Sequence, residues 1–138
     1  MSYLLDTNAV IALVNNRPLT VRERLQQIPA EAFPVTTSTI VLFELWYGVA
    51  RSQRRAQNTE RLRGFLAGNV NVIQFEEEDA VVAGQLCADL AGFGSPIGPY
   101  DLLIAGQALR TGATLVTANV AEFGRVPGLA WEDWTQVA

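Results

Sequence analysis

The sequence predicts an α/β domain in which a central parallel sheet carries helices on both faces. Three observations point there. Short apolar runs recur along the chain as strand candidates: "SYLLD", "AFPVTTS", "NVNVIQF" and "ATLVTAN". Between them lie segments of ten or more residues with apolar positions at helical spacing. Strands alternating with helices of that length argue for parallel pairing and a sheet covered on both sides. No repeat, low-complexity stretch or linker interrupts the 138 residues, so one domain over 1–138 is expected.

In order, "SYLLD" reads as a short strand ending at an acid. "TNAVIALVNN" follows as a helix, with Val10, Ile11, Leu13 and Val14 at helical spacing and Thr7 as the expected cap. Beyond Arg17-Pro18, "LTVRERLQQI" is an amphipathic helix, and "AFPVTTS" is the next strand. "TIVLFELWYGVA" is a helix capped by Ser38 or Thr39 and relaxing at Gly48. "RAQNTERLRGFLAG" is a polar helix ended by Gly68, and "NVNVIQF" alternates as a strand should. "EEEDAVVAGQLCADLAGFG" opens with four acids, Glu76 to Asp79, where the helix dipole favours them and where solvent is expected to hold them. "SPIGPYDLLIAGQALRTG" is a loop and a helix starting at Pro99, "ATLVTAN" is a buried strand, and the tail holds a turn and a short final strand.

Composition excludes several chemistries. The chain has no histidine, which rules out Ser-His-Asp and Cys-His catalysis, histidine-assisted RNA cleavage and His-ligated zinc. All ten basic residues are arginine, which rules out a P-loop, a Schiff base and a phosphoacceptor-aspartate switch that needs lysine. Carboxylates, hydroxyls, amides and arginines remain, together with a borrowed metal. A single cysteine, Cys87, precludes an internal disulfide and reads as a small buried hydrophobe. "MSYLLDTN" has no signal-peptide pattern and no apolar run reaches membrane-spanning length, so a cytoplasmic place is the expectation.

Glu44 sets the functional question. Its neighbours are apolar on both sides, and Ile40, Val41, Tyr47 and Gly48, one turn away, carry no compensating charge. A buried carboxylate without a partner costs several kcal/mol. Asp6 ends the first strand and so points into the crevice beyond the carboxyl edge of the sheet, where open parallel sheets bind ligands. Asn119 and Glu122 follow "ATLVT" to the same edge. Asp101 lies in a first helical turn before the apolar run "LLIAGQAL".

Crowded carboxylates raise one another's pKa, and a divalent cation resolves the repulsion. Hard oxygen ligands suit Mg²⁺ or Mn²⁺, which can activate a water and neutralise a phosphodiester oxygen. Plainer readings stand beside this one. Asp6 can be an N-cap, Asp101 a dipole partner, Glu44 the mate of a distant arginine, and Asn119 a turn residue.

Four stretches, in this order and spacing, carry a resemblance: "YLLDTN", "TSTIVLFELWYGV", "PYDLLIAGQAL" and "LVTANVAEFGRVPGLAWEDW". Over nearly its whole length the chain resembles a PIN domain, specifically a VapC-type toxin ribonuclease of bacterial VapBC toxin–antitoxin systems. The resemblance implies a single PIN-like domain and RNA hydrolysis with Mg²⁺ or Mn²⁺, leaving a 5′-phosphate and a 3′-hydroxyl. It puts Asp6, Glu44 and Asp101 at metal-ligand positions, Thr7 and Asn8 behind Asp6 as orienting groups, and Thr117 at the lining of the site. Many PIN domains carry a fourth acid after the last strand. Here Asn119 stands there, with Glu122 three residues on, which puts the second metal position in question.

The resemblance also implies an antitoxin that occupies the groove, RNA as substrate, and a homodimer. Net charge −4 is unusual for such an enzyme, but Arg51, Arg54, Arg55, Arg61 and Arg63 cluster just after the Glu44 helix. They read equally as an RNA-binding flank or as a solvated helix face. Trp46 and Tyr47 could stack on bases, although packing is the commoner role for such rings. A catalytically silent PIN-like module that binds nucleic acid or a protein is the competing class. An aspartate-nucleophile phosphatase fits "LLDTN" poorly, because the second Asp two residues on is missing.

Overall fold

The computed structural model describes residues 2–29, 31–68 and 70–136. Five strands, β1 (Tyr3–Leu5), β2 (Val35–Ser38), β3 (Asn71–Ile73), β4 (Thr114–Val116) and β5 (Trp131–Glu132), form one parallel sheet in the order β3-β2-β1-β4-β5. Helices α1 (Thr7–Asn15), α2 (Leu19–Gln27), α3 (Thr39–Ala50), α4 (Arg55–Leu66), α5 (Glu77–Gly92), α6 (Pro99–Thr111) and α7 (Val120–Phe123) connect them. The α/β expectation therefore holds, with β1 at the centre. Asn69, which opens the expected third strand, lies outside the described residues, as do Met1, Ala30, Val137 and Ala138 at the bounds of other segments.

The central strand is apolar without alternation because both of its faces are covered. Leu4 and Leu5 point to opposite faces, and both are fully buried. The polar "TTS" of β2 is buried as well, and its hydroxyls are satisfied locally. Thr36 donates to the Tyr3 carbonyl at 2.7 Å, and Thr37 donates to the Leu5 carbonyl at 2.9 Å. These bonds remove the desolvation cost of two hydroxyls in the middle of the sheet.

Several expectations need correction. The cap of α1 is Asp6, not Thr7: the Asp6 carboxylate accepts the Ala9 N–H at 2.8 Å while its own backbone stays extended. Helix α3 begins after Ser38 as expected, but runs through Gly48 to Ala50, since a single glycine weakens a helix without ending it. Cys87 is exposed, because α5 buries the turn positions Ala83, Leu86 and Leu90 and turns Cys87 outward. Of the four acids opening α5, Asp79 is fully buried and not solvated. It accepts the Glu76 N–H at 2.7 Å in a capping box and pairs with Arg110 of α6, also at 2.7 Å. The tail contains α7, a short helix that the expected turn left out.

Helices α5 and α6 pack closely. A Cβ on Gly106 would meet the Ala83 Cβ at 2.7 Å and its Cα at 2.8 Å, so only glycine lets the two backbones approach this far. This contact fixes the position of the helix that carries Asp101.

Candidate active site

The carboxyl edge around β1 gathers the acids. Asp6 follows β1 directly, and its backbone N–H donates to the Val116 carbonyl of β4 at 3.1 Å. Its side chain is only 4 % exposed. Burial is the main cause that lifts its pKa to about 6. The Thr117 hydroxyl and the Ala9 N–H pull the other way, and the negative charges of Glu44 and Asp133 add to the rise. Thr117 itself is buried, and its hydroxyl accepts the Asn119 N–H at 2.9 Å.

Glu44 reaches the same edge from the second turn of α3. It is half-buried, and Oε1 accepts a 2.7 Å hydrogen bond from the Thr7 hydroxyl. Thr7 therefore orients Glu44, whereas the resemblance would set it behind Asp6. Asn8 is exposed and, among the described residues, makes no hydrogen bond to Asp6. Backbone and Thr117 contacts hold Asp6 in their place.

Asp101 sits at the third position of α6, with Pro99 first, where its missing N–H costs nothing. Burial, a hydrogen bond shared with Glu122, and the charges of Glu122, Glu44 and Asp6 raise its pKa to about 7. Glu122 moves the opposite way, lowered by the same bond with Asp101 and then by the Gly98 N–H and the Asn119 side chain. The two carboxyl groups thus titrate as a pair that holds one proton near neutrality.

Glu122 is the hub of this half of the site. Oε1 accepts the Gly98 N–H at 3.2 Å, and Oε2 accepts the Asn119 amide at 3.2 Å. Asn119 thus serves Glu122, and it begins α7 without capping it through its side chain.

Asp6, Glu44, Asp101 and Glu122 are therefore neighbours: the charge of Glu44 acts on Asp6 and Asp101, and Asp101 shares a proton with Glu122. Neither ion pair found among the described residues, Arg24–Glu132 or Arg110–Asp79, involves any of them. The distant-arginine reading of Glu44 finds no support there. Among the described residues no three acids already stand close enough to form a finished metal cage. The donor set still fits one kind of group: hard, anionic oxygens with repulsion to relieve suit a hard divalent cation.

Two contributors were not singled out in the sequence. Gly98 donates its backbone N–H to Glu122, and a Cβ there would lie 3.7 Å from Asp101 Oδ2. Arg125 holds the Pro96 carbonyl at 2.9 Å and adds positive charge near Glu122. The "GP" pair before Asp101 was the available signal for the first. Nothing local signalled the second.

The arginines Arg51, Arg54, Arg55, Arg61 and Arg63 are all exposed. Arg63 lies over the Trp46 ring at 5.4 Å and Arg51 over the Tyr47 ring at 5.3 Å. A groove of about 200 Å³ between α1, α3 and α4 is lined by Glu44, Ile11, Leu45, Asn58 and Arg61. A second cavity, of about 740 Å³, lies away from the acids between α1, α2 and α4.

Known proteins share this arrangement of chain. The family profile described as PIN domain matches residues 3–129. The tRNA(fMet)-specific endonuclease VapC of Salmonella typhimurium is 37% identical over 134 residues, covering 97% of this chain and 98% of that protein. Ribonuclease VapC2 of Rickettsia felis is 39% identical over 134 residues, again 97% and 98%. Among solved structures, VapBC2 from Rickettsia felis bound to a DNA fragment from its promoter aligns with a TM-score of 0.90 and 38% identity, over 97% of this chain and 99% of that one. VapBC-1 from nontypeable Haemophilus influenzae aligns with a TM-score of 0.88 and 38% identity, over 99% and 100%.

Proposed function

Because the chain belongs to the PIN-domain family, as a VapC-type ribonuclease, we propose that it is the toxin of a toxin–antitoxin pair and hydrolyses RNA with a divalent cation. One observation supports the cation above the others: buried Asp6 and half-buried Asp101 have raised pKa values, with Glu44 and Glu122 beside them and, among the described residues, no arginine in ion-pair contact. Asp6, Glu44 and Asp101 would hold Mg²⁺ or Mn²⁺, and bound there the ion supplies Lewis acidity for the phosphodiester and a lowered pKa for the attacking water.

The chain's own residues prepare this site. Asp6 keeps one carboxylate oxygen on the Ala9 N–H, so its rotamer is set before any ligand arrives. Thr7 does the same for Glu44, leaving Oε2 without a protein donor among the described residues. Glu122 holds Gly98 and Asn119 and so fixes the start of α6, where Asp101 stands. Glu122 is the fourth carboxylate in place of Asn119.

The same reading assigns a partner. A VapB-type antitoxin would lay a segment in the groove that holds Glu44, lined also by Ile11, Leu45 and Asn58, and set a cation against the acids. Self-association as a homodimer and action in the cytoplasm go with it. The Salmonella relative is named for tRNA(fMet), which makes initiator tRNA the first substrate to try.

The test is incubation of the purified chain with total RNA and with initiator tRNA, with and without Mg²⁺, beside Asp6→Asn and Asp101→Asn. Cleavage that needs the cation and disappears in both folded variants is the expected result. RNA that is bound but never cut would instead mark a silent binding module.

A further inference from the structure

Most large apolar side chains left in solvent are scattered, but three are not. Phe43, Tyr47 and Tyr100 are 52 %, 56 % and 44 % exposed, and they pack on one another. Phe43 and Tyr47 lie one turn apart on α3 with centroids at 6.5 Å and planes within 12°. Phe43 meets Tyr100 of α6 at 5.3 Å. The cluster is thus a small rigid aromatic surface built from two helices, half of it open to water.

Its position is specific. Phe43 directly precedes Glu44, and Tyr100 directly precedes Asp101, so rings and acids are carried by the same turns of α3 and α6. Arg51 lies over the Tyr47 ring, its Cζ at 5.3 Å from the centroid, and Arg54 and Arg55 are exposed just beyond it. Three aromatic faces, a guanidinium on the stack and two further cations suit a strand that offers flat bases and phosphates together. An aliphatic partner surface would need neither the ring faces nor the arginines.

We propose that Phe43, Tyr47 and Tyr100 form a base-stacking platform, which holds an unpaired nucleotide of single-stranded RNA beside the carboxylates while Arg51, Arg54 and Arg55 take its phosphates. The proposal rests on the ribonuclease reading for its purpose, but the stacking itself is a binding property. It gives a chain of net charge −4 a route to RNA in which base contacts supplement a modest number of cations.

The experiment measures binding, so that it does not depend on cleavage. Asp6→Asn protein is titrated with a short single-stranded RNA and with an abasic ribose-phosphate strand of the same length. Phe43→Leu and Tyr100→Leu are then added singly. Stacking predicts a loss of about tenfold per ring for the base-bearing strand and no loss for the abasic one. Thermal melting verifies that each variant is folded. Equal losses on both strands, or none on either, would overturn the proposal. Sedimentation supplies the remaining outcome: if either substitution dissociates a dimer, and binding returns at high protein concentration, the rings serve a second copy of the chain and the platform is wrong. If the parent protein binds the base-bearing strand better but never cuts RNA, stacking stands and the ribonuclease reading fails alone.

Discussion

The Thr7 hydroxyl donates to Glu44 at 2.7 Å across 37 positions of sequence. This bond joins the first turn of α1 to α3 and sets the rotamer of a carboxylate that no other protein donor holds among the described residues. Thr7→Val keeps the shape and removes the donor. Cleavage should fall between about tenfold and a hundredfold, the penalty for a loosely placed group, with the fold intact. Thr7→Ser should stay near the parent. Equal rates for valine and threonine would show that Glu44 does not need this anchor.

Acidity should affect stability in an unusual direction. Burial raises the folded pKa of Asp6 from 3.8 to about 6, so the folded state binds this proton more tightly than the unfolded chain does. Its contribution is complete below about pH 4 and is lost as pH rises through 6, a change of about 3 kcal/mol at 1.36 kcal/mol per unit. Asp101, raised to about 7, acts in the same direction but by less than its shift implies, since its side chain is partly in water. With chelator present, urea unfolding at pH 5 and pH 8 should show the parent losing more stability than Asp6→Asn. Added Mn²⁺ at pH 8 should restore it. A parent and variant with parallel pH profiles would refute the assignment.

Asn119 offers a test of the second ion. Asn119→Asp would replace the amide that donates to Glu122 with a like charge at the same distance. Without metal the variant should melt lower than the parent. With Mn²⁺ it should bind a second ion several-fold more tightly, because one more hard anionic oxygen is available. Calorimetric titration reads both sites, and an unchanged second site would mean that Asn119 does not limit metal binding.

Gly106→Ala places a methyl against the Ala83 backbone, where no side chain can rotate away. Overpacking of this kind costs about 1–3 kcal/mol. Adding Ala83→Gly should recover part of the loss, which denaturant titration of the two single variants and the double variant would reveal. Additive losses would show that the two positions are not in contact.

The fold was legible wherever it rested on periodicity. β1, β2, β4 and the long helices announce themselves by apolar runs and helical spacing; Asp6, Glu44 and Glu122 follow the ends of β1, β2 and β4, and Asp101 opens α6, the helix that leads back into β4. Pairwise contacts were less legible. Nothing in "EEED" distinguishes Asp79 from its neighbours; it is buried because Arg110, thirty-one residues later, lies opposite. Cys87 read as buried because its flanks are apolar, yet α5 is covered on one side only. Thr7 looked like a cap by residue type, but Asp6, one position earlier, holds the extended backbone that capping needs. The role of Asn119 as a donor to Glu122 depends on α7, too short to leave a periodic signal.

Because β1 occupies the middle of the sheet, the acids that gather at its carboxyl end come from chain segments that are far apart in sequence. Asp6 and Glu44 leave the ribosome early, whereas β4 and Glu122 come near the end of synthesis. N-terminal portions fold first during translation, and a portion that ends before α6 lacks Asp101. The full set of site carboxylates is therefore assembled only late in synthesis, once α6 and β4 have left the ribosome.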